Sequence, residues 1–296
     1  MSASQRQDLA IYSNGCIIPP LNPAFKSLNL VTYQQGTHHT WLTQALLENA
    51  LLDTCSLNSD SSQTARSLNN SRNLEDAKAH VVVVSFMNDL AHWSKNLKKC
   101  NNLDVTPSSP NFTFLDCFTN LFSKFITAPT SAQSIEAQVQ ELFADVTQKI
   151  VTAVRAKPAH QRLIVVVENL EFLIAATCLR ANQLLCQVSA LQNIASHLYV
   201  VTQLAPEAID VSTVASSAHN PVYKATDFLV KMIYRAHLVL QVQPLATGRA
   251  DDVTGVLRIV RGGLSEEMRL VTGLNVVEKE YLYLVNKDGN AKLFFR

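Results

Sequence analysis

Gly36 is the one glycine in Gln34 to Trp41 (QQGTHHTW), a stretch that follows a short apolar run, Asn29 to Tyr33, and precedes helix-like sequence from about Thr40 to Asp53. Strand, turn and helix in this order form the place where a nucleotide-binding α/β domain puts its phosphate loop. Such a loop needs glycines so that backbone N–H groups reach phosphate, a lysine for the outer phosphates and a hydroxyl for magnesium. Only Gly36 and the hydroxyls of Thr37 and Thr40 answer that description, and no lysine follows. Losing the lysine removes a charged contact worth about 1.5–3 kcal/mol. An ordinary strand-to-helix turn is the better reading, with Gly36 and Thr37 as candidate nucleotide contacts. Glu168, which ends the run LIVVV, is the third candidate. An acidic residue there holds magnesium through a water in ATPases of this topology, although solvation of a strand end accounts for it more simply.

Other catalytic patterns are missing. The chain has no G-x-S-x-G elbow, no H-E-x-x-H, no C-x-x-C and no G-x-G-x-x-G. His38 and His39 are neighbours, so they point apart and cannot share a metal; they read as exposed loop residues. Cys178 and Cys186 lie in apolar helical sequence and read as small core residues. From Pro221 to Gly262 six basic residues face three acidic ones, and Lys224, Lys231 and Arg235 are the candidates for phosphate contact with RNA. A solvated helix face with salt bridges to other subunits is the plainer role. Tyr281 and Tyr283 share one face of an expected strand, where packing across the sheet is a simpler role than stacking on bases.

The elements that must position these residues alternate. Ala79 to Phe86 (AHVVVVSF), Leu163 to Val167 and His197 to Thr202 are apolar, β-branched runs suited to strands buried on both faces. Helices are expected near Asn88 to Lys99, around Cys117 to Phe125, and from a Thr130/Gln133 capping box to before Pro158. The last of these has a face of Ile135, Val139, Leu142, Phe143, Val146, Ile150 and Val154. A loop from Pro206 to Pro221 and a helix around Thr226 to Ala236 follow. This order implies a mostly parallel sheet covered by helices on both sides. From Leu238 onward successive strands with short connections, and a hairpin turn at Asp288-Gly289, imply an antiparallel C-terminal part.

The chain has 296 residues, 47% hydrophobic and 17% charged, with 25 basic against 24 acidic side chains. That suits one domain with a full core and some surface covered by other subunits. Half of the residues from Thr54 to Asn73 are Ser or Asn, so a disordered insertion is expected within 54–78. A net charge of +1 gives no global field for nucleic acid, leaving local patches as the only route. No apolar run approaches the roughly 20 residues that span a bilayer, and a secretory leader is not expected. Six dispersed cysteines read as free thiols.

QRQDL (Gln5 to Leu9), PLATGRADDVTGVLRIVRGG (Pro244 to Gly263) and VVEKEYLYLVNKDGNAKLFFR (Val276 to Arg296) closely resemble the family of sixth Elongator subunits of budding yeasts. The match covers both ends, and the middle agrees in its order of strands and helices. The resemblance implies a RecA-like ATPase fold without an intact phosphate loop. It implies a hetero-hexameric ring with the fourth and fifth Elongator subunits, joined to the remaining Elongator subunits, that binds tRNA and ATP and supports wobble-uridine modification. It further implies that the uridine chemistry belongs to another subunit, that this chain alone holds no cofactor, and that ATP sits at ring interfaces. The expected residence is cytoplasmic and nuclear, with no membrane. The alternatives are a self-sufficient ATPase or kinase with a deviant phosphate loop around Gly36, and an assembly scaffold that touches no RNA.

Overall fold

The apolar runs pair side by side in a single nine-stranded sheet. The computed structural model describes residues 6–58, 74, 75, 77–127, 132–155, 161–204, 220–248, 250 and 252–295. In chain order the elements begin β1 (Ser27–Gln34), α1 (Thr40–Leu52), β2 (Ala79–Ser85), α2 (Leu90–Asn101) and β3 (Phe112–Asp116). A single π turn (Leu121–Phe125), α3 (Ala132–Val154), β4 (Arg162–Glu168), α4 (Phe172–Ala176), α5 (Ala181–Ile194) and β5 (His197–Leu204) come next. The chain finishes with α6 (Pro221–Arg235), β6 (Leu238–Pro244), β7 (Gly255–Arg261), α7 (Ser265–Thr272), β8 (Lys279–Val285) and β9 (Ala291–Phe295).

Across the sheet the order is β3-β2-β4-β5-β1-β6-β7-β8-β9. The strands from β3 to β6 in that order are all parallel, and β7, β8 and β9 continue it antiparallel. This is the expected mostly parallel α/β sheet flanked by helices, with an antiparallel C-terminal extension. Strand periodicity divides the core in two. Val81 and Val83 face α1 and α2 on one side, whereas Val82 and Val84 face α3 and α5 on the other. The predicted stripe of α3 from Ile135 to Ile150 is buried on that second side.

Five expectations need correction here. β6 is parallel to β1, because α6 carries the chain over the sheet as a crossover before β6 enters. The C-terminal part contains a helix, α7, where only strands were expected. Cys117 to Phe125 makes only the π turn rather than a longer helix, with Asp116 accepting from the Phe118 and Thr119 amides ahead of it. Cys178 and Cys186 are exposed rather than core residues. The helix α6 starts earlier than its apolar pattern suggests, because Pro221 occupies its first turn and the Asn220 side chain accepts from Val222 N.

Within the expected insertion, residues 59–73 and 76 lie outside the described residues, as do Thr130, the loop 206–219, Arg249, Asp251, Gln5 and Arg296. Residues 54–58 are held in place: Glu48, wholly buried in α1, accepts from Thr54 Oγ1, from Ser56 N and Oγ, and from Asn101 Nδ2. Asn58, at φ 70°, donates from Nδ2 to Gln7 O (2.8 Å) and accepts at Oδ1 from Leu293 N (2.7 Å). Arg6 bridges Phe294, and Tyr12 bridges Val276. The two segments that carry the terminal resemblance therefore touch each other. Gly262 permits a tight crossing there too, since a methyl group at that position would run into the Ala236 carbonyl.

Candidate functional site

The carboxyl ends of β1, β2, β4 and β5 converge on Glu168. Its side chain is 0% exposed, yet each oxygen receives two donors. Ser85 Oγ donates to Oε2 at 2.5 Å and Trp93 Nε1 at 3.3 Å, while Asn88 Nδ2 donates to Oε1 at 2.7 Å. His39 Nε2 stands 3.4 Å from the same Oε1. An ionised carboxylate only accepts, so His39 Nε2 carries a hydrogen toward it, with Nδ1 3.1 Å from Thr43 Oγ1. Burial pushes the Glu168 carboxyl up, but the His39 hydrogen bond and charge, with the Ser85 and Asn88 bonds, bring it below its ordinary range. With about four acceptor positions occupied by four donors, Glu168 can hold a magnesium-bound water only by giving up a partner.

The expectation that His38 and His39 are both exposed loop residues holds for His38 and fails for His39, which is buried. His39 begins α1, packs its ring 4.6 Å from that of Tyr33 and fills the space between the β1 loop and β4. Sequence spacing offered no sign of this, because its partner lies far along the chain. Gly36 is exposed at φ +85° with open space around it, as a turn requires. Thr37 turns inward, its hydroxyl donating to Gln34 O (2.7 Å) and Val242 O (3.3 Å). Thr37 leans toward β6 while Glu168 ends β4, two strands away on the other side of β1, so the structure does not bring these two candidates together, and neither presents a free polar atom to a phosphate.

Beside this cluster Asn169, at φ +57°, donates to Tyr33 Oη (2.8 Å) and Glu171 Oε1 (3.0 Å). Glu171 Oε1 also accepts from Gln203 N at 2.7 Å, and its Oε2 is covered. Burial pushes the Glu171 carboxyl up to about 7, against the lowering effect of the Gln203 and Glu171 amides and the Thr202 and Asn169 side chains. These residues border a cavity of about 480 Å³. Sequence reasoning stopped at Glu168 and missed Asn169 and Glu171, although the polar pair so close to a buried strand was visible.

The basic candidates separate into two groups. Arg258 and Arg261 on β7 are matched by Glu280 and Glu278. On α6, Lys231 Nζ lies 2.7 Å from Asp227 Oδ2 and 2.8 Å from Asn182 Oδ1, whereas Arg235 Nη2 donates to the neutral Ser189 Oγ at 2.6 Å. Lys224, Lys231 and Arg235 share one stripe of α6 about 16 Å long, beside α5. Tyr281 and Tyr283 are buried, Tyr283 packing 4.9 Å from the Trp41 ring, so neither offers a face to a base. Among the described residues no cluster of three His, Cys, Asp or Glu side chains could hold a metal, and no helix is long and apolar enough to cross a membrane.

No known protein-family profile matches the chain. Over 305 aligned positions, spanning all of both proteins, it is 28% identical to Elongator complex protein 6 of Saccharomyces cerevisiae. The chain is similar to that subunit from end to end. Among solved structures, flagellar accessory protein FlaH from Methanocaldococcus jannaschii aligns with a TM-score of 0.47 at 12% identity, covering 91% of this chain and 90% of that one.

Proposed function

We propose that this chain is a non-catalytic, RecA-like subunit of an Elongator assembly. In this reading it joins the fourth and fifth subunits in a hetero-hexameric ring that binds tRNA and supports wobble-uridine modification, in cytoplasm and nucleus. The observation that carries the reading is the end-to-end similarity to Elongator complex protein 6. Two features support it. Glu168 is saturated by His39, Ser85, Asn88 and Trp93, so the acidic residue of the ancestral motor acts as a structural anchor. Tyr234, 70% exposed on α6, and Leu270, 74% exposed on α7, are large apolar side chains suited to burial by ring neighbours. ATP, in this reading, belongs to interfaces between subunits.

The test is assembly and RNA binding. The full chain alone should show negligible ATP turnover, and mixed with the fourth and fifth subunits it should give a hexamer by native mass measurement. Replacing Lys224, Lys231 and Arg235 together with Ala should weaken tRNA binding by the ring and lower its salt dependence. A chain that stays monomeric beside both partners defeats the proposal. Unchanged tRNA affinity in the triple variant removes the RNA contact and leaves an assembly role. ATP hydrolysis by the isolated chain that disappears on Glu168→Ala would favour the self-sufficient enzyme instead.

A further inference from the structure

The cavity beside Glu171 opens at the carboxyl ends of the parallel strands, the edge where open α/β sheets hold ligands. Its walls are Phe86, Met87, Phe118 and Phe172, and two amide side chains, Gln35 and Gln203, stand at its rim. Phe118 is 46% exposed and Met87 49%, an unusual display of large apolar side chains around one opening. Phe118 and Phe122 both meet the Phe172 ring edge-on, at 6.1 and 6.0 Å. Among the described residues no cation lines the cavity, so it is not built to enclose a phosphate. Nor does it present an anion: Glu171 Oε1 is bonded to Gln203 N and Asn169, and Oε2 is covered. The remaining offer is aromatic and thioether walls with neutral carboxamides. That combination matches a flat, uncharged heteroaromatic ring with alternating donors and acceptors on its edge. A volume of about 480 Å³ admits a nucleoside.

We propose that this cavity receives an unstacked nucleobase, clasped between Phe118 and Met87 and read at its edge by Gln35 and Gln203. The sugar-phosphate chain then leaves past Lys224, which directly precedes the wall residue Ala225 on α6, and past Lys124 in the π turn beside Phe122. The assignment of the base to RNA rests on the RNA-binding reading above; a free mononucleotide has the same ring chemistry. A nucleobase pocket at this edge also gives the Phe118, Phe122 and Phe172 cluster a role that sheet packing does not supply.

The experiment compares three probes against the ring assembled from this chain with the fourth and fifth subunits: a short labelled oligoadenylate strand, an abasic ribose-phosphate strand of equal length, and adenosine monophosphate. Phe118→Ala should weaken oligoadenylate binding about 5- to 100-fold, the range for one lost stacking partner, without changing the abasic strand. Phe118→Trp should restore binding, and Gln203→Ala, on an exposed side chain, should repeat part of the loss. Lys224→Ala should weaken both strands alike. If Phe118→Ala changes neither strand, or both equally, the pocket holds no base while the RNA-binding reading stands. If no strand binds but adenosine monophosphate does, and Phe118→Ala abolishes that binding, the pocket takes a free nucleotide and the RNA reading fails. If no probe binds, both fall.

Discussion

His39 Nε2 lies 3.4 Å from Glu168 Oε1, joining the residue that caps the start of α1 to the last residue of β4. The pair closes the carboxyl edge of the parallel strands with protein, and Ser85, Asn88 and Trp93 take the remaining acceptor positions of the carboxylate. Replacing Glu168 with Gln sets a second donor against His39 and Asn88 in a dry site. The expected cost is about 2–4 kcal/mol, read as a lower urea midpoint at pH 7. Because the folded carboxyl titrates below its ordinary 4.5, the unfolded chain binds more protons in that window. Wild type should therefore lose this contribution as pH falls through the folded value, and Glu168→Gln should lack that loss. A variant as stable as wild type at pH 7 contradicts the anchoring role.

Glu171 titrates in the opposite sense. Its folded value of about 7, against 4.5 ordinarily, means that the folded chain holds the extra proton between those limits, so its contribution to stability declines as pH rises from 4.5 to 7. Glu171→Gln keeps an acceptor for Gln203 N and removes the charge. It should stabilise the protein by about 3 kcal/mol at pH 8 relative to its effect at pH 4.5, seen as a pH-dependent gain in melting temperature. A gain of equal size at both pH values would show that the carboxyl ionises normally.

His197 accounts for an acid limb. Burial, aided by the Arg162 charge, pushes it down to about 4 from 6.5, while its Nδ1 meets Ser27 Oγ at 2.7 Å. The unfolded chain binds the proton first, so stability is lost as pH falls from 6.5 toward 4. His197→Gln should flatten that limb by about 2–3 kcal/mol in chemical denaturation curves taken across the window. Parallel slopes for variant and wild type would assign the acid loss to other groups.

Asn58 combines a left-handed backbone with two side-chain hydrogen bonds, so two substitutions separate its roles. Asn58→Gly keeps the conformation and loses the bonds, with an expected cost of about 1–2 kcal/mol. Asn58→Ala loses both and should cost about 1 kcal/mol more. Hydrogen exchange at the Leu293 amide should quicken in each. Unaltered exchange there would mean that β9 is held without Asn58.

The sheet was largely legible because its strands are runs such as AHVVVVS and RLIVVVE, whose β-branched residues leave little alternative. The direction of β6 was not legible: LVLQV reads alike in a parallel or an antiparallel neighbour, and only the α6 crossover decides. The degenerate loop was visible as missing glycine and lysine, and Glu168 as an acid at a strand end. Its occupation was not visible, since His39, Ser85, Asn88 and Trp93 reach it from three separate segments. The exposure of Cys178 escaped because the chain leaves the helix there, between α4 and α5, and that of Cys186 for a related reason. An apolar stretch fixes that a helix buries one face, but the angle of that face toward the sheet is set by packing.

The contact of Gln7 and Arg6 with Leu293 and Phe294 has a bearing on biosynthesis. The earliest described residues to leave the ribosome must wait for nearly the latest before their partner strand exists. The outer, antiparallel half of the sheet thus closes late, because its first segment stays without a partner strand until almost the whole described chain has been made.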